Sequence, residues 1–249
     1  MALNERQKKI LKSMQEERTV YVPDLASQFG VTEASIRLDL KDLENQGHVK
    51  RFHGGAKLVK PSAYEGRIRV NQQAKKAIAK RALEYISPGD TLFLDSGTTV
   101  LMLAQMLTGI NQLTIVTNSI PIAQQVGREY EKEVILVGGF FNYPEQCCEG
   151  PMSEKFLNDF RASTAFIGAD SAYPFGGLFS NGVRMVGYVQ KIIDNSERTI
   201  LLMDFLKFRT VGRVKFSDIE SLDVIVTDSG IPEKARDDLI NLYRGDGPR

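Results

Sequence analysis

The sequence predicts an α/β chain in two parts, a short helical N-terminal domain followed by a mostly parallel α/β sheet domain. Three observations predict it. The first sixty residues carry apolar positions at helical spacing. The remainder alternates continuous apolar runs with helical segments, the pattern of a parallel sheet covered on both faces. Positive charge is biased toward the N-terminal part, with 11 Lys and Arg against 8 Asp and Glu in residues 1–60, and 21 against 23 thereafter.

Composition excludes several classes. The chain has 249 residues, 42% apolar and 25% charged, which suffices for a sizeable core without staples. No run of about 18 apolar residues occurs, so no transmembrane helix is expected. Residues 1–18 are charged throughout, unlike a secretory signal. The two cysteines, Cys147 and Cys148, are adjacent, and the histidines are His48 and His53. That set is poor for a metal site or a relaxed disulfide. A redox role for the thiols is disfavoured, since isolated thiols are usually inert. No metal or cofactor is expected, and the cysteine usage fits a reducing cytoplasm.

The first helix is expected from about Asn4 to Glu17, with Asn4 as N-cap and Ile10, Leu11 and Met14 inward. Residues 19–22 read as a short extended link. A second, brief helix has Pro23 at its start and Leu25, Ala26 and Phe29 on its apolar face, and Gly30 stops it. The third begins at Thr32, buries Ile36, Leu40 and Leu43, and ends at Gly47. Arg37, Lys41 and Asp42 must then face elsewhere. Residues 48–57 read as a basic hairpin. Two helices joined by a tight glycine turn form a helix-turn-helix, and the hairpin makes it winged. Such a helix fits the major groove of double-stranded DNA and reads base edges from its N-terminal part, while the wing reaches phosphates. The candidate contacts are Thr32, Ser35, Arg37, Lys41, Lys50, Arg51 and His53. The plain alternative is a small helical bundle with a solvated charged face.

Residues 61–71, broken by Pro61 and Gly66, read as a linker between a domain of residues 1–60 and one of 72–249. A helix is expected from about Asn71 to Ile86, with Ala74, Ile78 and Leu83 inward. Strands are expected at 91–94, 113–116, 134–137, 165–167, 199–203 and 224–226. Helices are expected at 99–107, 120–130 and 232–243, and the tail after Arg244 as disorder. Small and polar residues follow the strands: Asp95, Ser96, Gly97, Thr98 and Thr99; Thr117, Asn118 and Ser119; Gly138 and Gly139; Gly168 to Asp170; Asp204; Thr227 and Asp228. In an open α/β sheet these ends share one edge, where ligands bind. Hydroxyls, an amide, carboxylates and bare glycine amides there suit a polyhydroxylated ligand. The amides of Ser96 to Thr99 could hold a phosphate, with Lys207 neutralising it. Each residue also has a bland reading: Gly97 as a turn, Asp95 as a cap. An enzymatic alternative, a sugar-phosphate isomerase, would use Asp95, Asp170 or Asp204 as base and Lys207 as electrophile. No histidine follows residue 53. Dinucleotide binding is disfavoured because no G-x-G-x-x-G follows the first strand.

These motifs carry a resemblance. The run from Leu25 through Phe29-Gly30-Val31-Thr32, Ser35-Ile36-Arg37 and Asp39-Leu40 to Gly47, with Lys50 to Ala56 after it, resembles the winged helix-turn-helix of the DeoR family of bacterial transcription regulators. Gly89 to Thr99, Thr114 to Ser119, Val137 to Gly139, Phe166 to Asp170 and Asp204 to Phe208 are similar to that family's effector domain. The resemblance implies a sheet domain like ribose-5-phosphate isomerase. It also implies a regulator, chiefly a repressor, acting as a dimer or tetramer on operator DNA and controlled by a sugar phosphate or similar anionic metabolite. Departures stand at Leu38, where Arg or Lys is common, at Met185 or Gly187, where an acidic residue is usual, and at Phe205 and Leu206, where two serines are usual. Residues 211–214 follow later than is common. Arg184 is expected in the effector site, where it would favour a more anionic or less sugar-like ligand. Asp39 is expected to hold Arg37 or a neighbouring helix rather than to touch DNA.

Overall fold

The computed structural model describes residues 4–17, 19–45, 48–58, 63–128, 131–209 and 212–244. The expectations at Gly47, Pro61, Arg128–Tyr130 beyond its first residue, Val211 and the tail after Arg244 lie outside the described residues. Contacts divide the chain into two units, residues 1–61 and 62–249.

In the first unit α1 (Glu5–Glu17) starts on a reciprocal cap. Asn4 Oδ1 accepts from Gln7 N at 2.8 Å and Gln7 Oε1 accepts from Asn4 N at 3.0 Å. Strand β1 (Thr19–Tyr21) leads into α2 (Val22–Phe29), which Gly30 closes in the left-handed region at φ 62°. Next come α3 (Glu33–Asn45), β2 (Val49–Phe52) and β3 (Gly55–Leu58). The core is Ile10, Met14, Leu25, Ile36, Leu40 and Leu43, closed by Val49 and Ala56. The segment read as a link is β1, an edge strand pairing antiparallel with β3 in the order β1-β3-β2. At that junction Gly55 lies against Val20 O and the Phe52 ring, and a Cβ there would overlap both. Gly55→Ala is expected to destabilise this unit by about 1–3 kcal/mol. A thermal melt of the full chain checks it; an unchanged first transition would contradict the packing.

The second unit begins with α4 (Ala63–Arg69) and α5 (Gln72–Ala82). The linker reading of 61–71 is corrected here. Tyr64 is only 1% exposed, and its backbone N donates to Pro144 O at 3.0 Å. One buried aromatic anchors a helix that composition alone made look like a break. There follow β4 (Thr91–Leu94), α6 (Thr98–Ala104), β5 (Thr114–Thr117), α7 (Ile120–Val126) and β6 (Glu133–Leu136). Then come the hairpin β7 (Phe140–Asn142) and β8 (Cys147–Glu149), α8 (Pro151–Phe156), β9 (Thr164–Ile167), β10 (Ser171–Tyr173), β11 (Gly177–Ser180) and α9 (Val186–Asp194). The unit ends with β12 (Thr199–Leu202), β13 (Val214–Ser217), β14 (Val224–Val226) and α10 (Glu233–Arg244).

Six strands pair in parallel in the order β14-β12-β9-β4-β5-β6. Successive side chains alternate between two cores, as the pleat requires. Phe93, Val116, Ala165, Ile167 and Leu201 pack with Tyr188, Val189 and Ile192 of α9. Leu92, Leu94, Ile115, Phe166 and Ile200 pack with Ile78, Val100 and Ile122 of α5, α6 and α7. Burial on both faces explains why the strands read as continuous apolar runs. Strand order reverses at β4, whose successors lie on one side as β5 and β6 and on the other as β9, β12 and β14. The antiparallel sheet β10-β11-β13 and the hairpin β7-β8 were not expected from the sequence.

Candidate functional site

On α3 the side chains of Ala34, Arg37, Leu38, Lys41, Asp42 and Asn45 are exposed while Ile36, Leu40 and Leu43 are buried. The spacing puts the exposed set on one stripe of the helix. Thr32 caps the start, its Oγ1 3.3 Å from Ser35 N and 3.0 Å from Ser35 Oγ. Arg37 meets Glu33 one turn back at 2.6 Å. Leu38 is 65% exposed on this stripe. Asp39 is buried and accepts from Arg6 Nε at 2.5 Å and Asn4 Nδ2 at 3.3 Å, so it holds α1 and not Arg37. Lys50, Arg51 and His53 are exposed on the wing. Arg51 is engaged, however: its Nε and backbone N each donate to the Glu44 carboxylate at 2.8 Å. That contact holds the Glu44 carboxyl below its usual range.

The second unit holds a cavity of about 560 Å³ at the carboxyl ends of β4, β9 and β12, beside the reversal of strand order. Open α/β sheets bind ligands at this position. Of the expected effector residues, Asp95, Ser96, Gly97, Thr98, Thr99, Asp170 and Lys207 line it. Asp95 caps no helix. Its Oδ1 accepts from Ser96 N at 2.7 Å and its Oδ2 from Gly168 N at 3.2 Å. Gly97 has φ −119°, which any residue adopts. Lys207 Nζ lies 3.7 Å from Asp170 Oδ1, and Asp170 Oδ2 accepts from Asn181 N at 2.8 Å.

The other expected effector residues do not line the cavity. Thr117 Oγ1 donates to Leu94 O at 2.6 Å and accepts from Ser119 N at 3.1 Å. Asn118 Nδ2 donates to Cys148 O at 2.8 Å, and Ser119 Oγ caps α7 from Ile122 N. Gly138 O accepts from Ser153 Oγ at 2.8 Å, and Gly139 leaves that side chain room. The physical reason is the strand order. The ends of β5 and β6 lie beyond the reversal, and the hairpin strand β8 bonds to the end of β5 through Cys148 N and Asn118 O. Arg184 also points elsewhere, 3.9 Å from Glu149 and 5.8 Å from the centre of the Phe140 ring. The lining sets the carboxylates of Asp95, Glu145, Asp170 and Asp204 against Lys207 and two further cationic residues, so it is not net positive.

Those residues are Arg67 and Lys75. Arg67 pairs with Glu145 in a two-pronged contact, Nη1 to Oε1 being 3.0 Å. Lys75 is 4% exposed, and its Nζ donates to Arg67 O at 2.5 Å and Val70 O at 2.8 Å. Burial holds its pKa below the usual lysine value, against the pull of Asp204. Asp204 Oδ1 accepts from Asn71 Nδ2 at 3.3 Å. A signal for Lys75 was available. It occupies the buried stripe of α5 with Ile78, Ala79 and Ala82, and a cation on an apolar stripe is rarely idle.

Burial pushes the Asp95 carboxyl up to about 6, although the amides of Gly168 and Ser96 oppose the shift. Between about pH 4 and 6 the unfolded chain releases this proton while the folded one keeps it. Stability from this group is therefore present below pH 4 and is lost as pH rises through 6, by about 3 kcal/mol. Asp95→Asn is expected to flatten that part of the profile. Urea midpoints between pH 4 and 7 test it; a slope equal to that of the parent chain would refute it.

Among the described residues no cluster of three or more His, Cys, Asp or Glu could hold a metal, and no helix is long and apolar enough to cross a membrane. Two family models match the chain. Residues 6–62 match a DeoR-like helix-turn-helix domain and residues 70–229 a DeoR C terminal sensor domain. The chain belongs to the DeoR family. Membership makes it a transcription regulator and removes the isomerase reading. Curated relatives agree with that. The transcriptional repressor AccR of Agrobacterium fabrum is 32% identical over 93% of this chain and 95% of its own. The HTH-type regulator YulB of Bacillus subtilis is 32% identical over 93% and 91%. The glycerol-3-phosphate regulon repressor of Escherichia coli K12 is 29% identical over 93% of each. Among solved structures this DeoR-family chain is distantly similar to ribose 5-phosphate isomerase A from Neisseria gonorrhoeae, 17% identical over 56% of this chain and 54% of that one at a TM-score of 0.40. It is also distantly similar to a translation initiation factor eIF-2B from Pyrococcus horikoshii, 18% identical over 68% of each at a TM-score of 0.44.

Proposed function

We propose that the chain is a repressor that works in the cytoplasm as a dimer or tetramer. In this reading α3 lies in the major groove of operator DNA, and an anionic metabolite, a sugar phosphate, occupies the cavity of the second unit. One winged helix reads only a few base pairs, so useful affinity needs paired copies on repeated half-sites. Thr32, Ser35, Arg37 and Lys41 face the bases, and Lys50, Arg51 and His53 serve the backbone. Arg51 does so by leaving Glu44 or reaching past it.

The observation that carries the effector half is the charge pattern of the cavity. Arg67, Lys75 and Lys207 line it together with the backbone of Ser96 to Thr99, and each has a partner inside the protein. An entering phosphate competes for those partners. Two of them bear on α4, the first helix after the DNA-binding unit. Glu145 grips Arg67 from the hairpin turn, and Lys75 bonds the α4 carbonyl of Arg67 and that of Val70 just beyond it. A ligand that exchanges these partners favours one setting of α4 over another, and operator affinity changes by that difference alone.

The test is a selection of genomic fragments by the full chain, followed by release with a panel of sugar phosphates. Enrichment of repeated half-sites and release by at least one phosphorylated sugar is the expected result. No sequence preference among bound fragments would overturn the operator reading, and release by none of the panel would overturn the effector reading. A ligand at about 100 times its Kd also stabilises the fold by roughly 2.7 kcal/mol, a shift that a melt records.

A further inference from the structure

We infer that the effector carries a compact hydrocarbon segment beside its anion, seated against Met185, Val189, Met203, Leu206 and Phe216; this rests on the cavity being the effector site. The cavity is two-sided by composition. Elements α4, α5 and the β7-β8 turn bring Arg67, Lys75 and Glu145. Met185 and helix α9 after it, strand β13 and the residues after β12 bring the five apolar side chains, with Asp204 and Lys207 interleaved among the last of these. Val189, Met203 and Phe216 are 4%, 1% and 4% exposed, so they form a fixed wall and not a loose rim.

The backbone beside them has little left to offer a hydroxyl. Met203 N donates to Val226 O at 3.1 Å and Leu206 N to Asp204 Oδ1 at 3.1 Å. Phe216 O accepts from Gln190 Nε2 at 3.0 Å, and Met185 N donates to Gly182 O at 3.1 Å. Two neighbouring neutral side chains are engaged as well. Ser180 Oγ bonds Gly182 O and N, and Asn142 bonds Glu149 and Glu145 N. A ligand hydroxyl pressed on this wall gives up water and gains no partner, whereas a methylene there is favoured. A fully hydroxylated chain is therefore the wrong shape of polarity for this side, and a chain lacking hydroxyls there is the right one.

Calorimetric titration of the full chain with inorganic phosphate, glycerol 3-phosphate, propyl phosphate and butyl phosphate tests this. Glycerol 3-phosphate and propyl phosphate share three carbons and an anion and differ in their hydroxyls. Propyl phosphate is expected to bind at least about tenfold tighter than glycerol 3-phosphate, with butyl phosphate tighter still. The ratio should fall toward one in Leu206→Ser and in the near-isosteric Val189→Thr, while inorganic phosphate binds both variants as it binds the parent. Equal or tighter binding of glycerol 3-phosphate overturns the apolar seat and leaves the anion site standing. A preference that survives both variants overturns its placement on this wall. Absence of binding by every probe, phosphate included, overturns the effector reading and the seat with it.

Discussion

Arg37→Ala weakens operator binding by about 1–3 kcal/mol for each half-site and leaves folding unchanged. Arg37 lies mid-stripe on the exposed side of α3, between Ala34 and Lys41. It pairs with Glu33, one turn away, with both side chains open to solvent. Such an i,i+4 pair is worth only about 0.3–0.5 kcal/mol, too little to hold the guanidinium back from a base edge. With two copies on an operator the loss approaches twice the single-site value, provided the sites act independently. Arg51→Ala should behave differently. Arg51 sits on the wing and is tied to Glu44, so its loss weakens all sequences alike and reduces the salt dependence. Titrations on specific and scrambled duplexes at several salt concentrations separate the two. If Arg37→Ala binds the specific duplex as tightly as the parent chain does, α3 is not the reading helix. A Glu33→Ala control should bind no worse than the parent.

The helix-turn-helix was legible because its signals are local. Caps at Asn4 and Thr32, the stop at Gly30 and the stripe of Ile36, Leu40 and Leu43 all act within one or two turns. The parallel strands were legible because burial on both faces leaves unbroken apolar runs. What failed to show was whatever depends on strand order. Thr117 ends its strand and Asn118, Gly138 and Gly139 follow theirs as Asp95 and Asp170 do, yet only the last two sit by the reversal at β4. Order is a long-range property, and no residue after β5 announces that β8 will bond to its end. Lys75 stood on a helix the sequence did predict and was passed over despite its place on the apolar stripe, whereas Arg67 was missed for a local reason. A segment containing Pro61 and Gly66 looks like a linker until Tyr64 is seen buried. The departures at Met185 and Leu206 were visible, but the effect expected was one of charge, from the lost acidic residue and from Arg184. The structure places both residues in the lining of the cavity.

Lys75→Met carries the largest expected effect on the effector response. An ammonium that bonds a phosphate contributes about 1.5–3 kcal/mol, so the variant should bind the effector some 10- to 150-fold more weakly. Folding responds less, because two effects oppose. Val70 O loses its side-chain donor, at about 1–3 kcal/mol where it stays dry, while Arg67 O keeps the bond from Val70 N at 3.2 Å. Against that, methionine fills similar space without the cost of burying a charge, the same cost that lowers the pKa of Lys75. The net change in stability should stay within about 2 kcal/mol, and urea titration separates it from the change in effector affinity. Operator binding without effector then reports on α4. If the bonds to Arg67 O and Val70 O help set that helix, Lys75→Met shifts operator affinity even before effector is added, and added effector shifts it little further. A variant that folds, binds operator and is released by effector at the parent's concentration would remove Lys75 from the anion site. The effector reading would then stand on Arg67 and Lys207 alone.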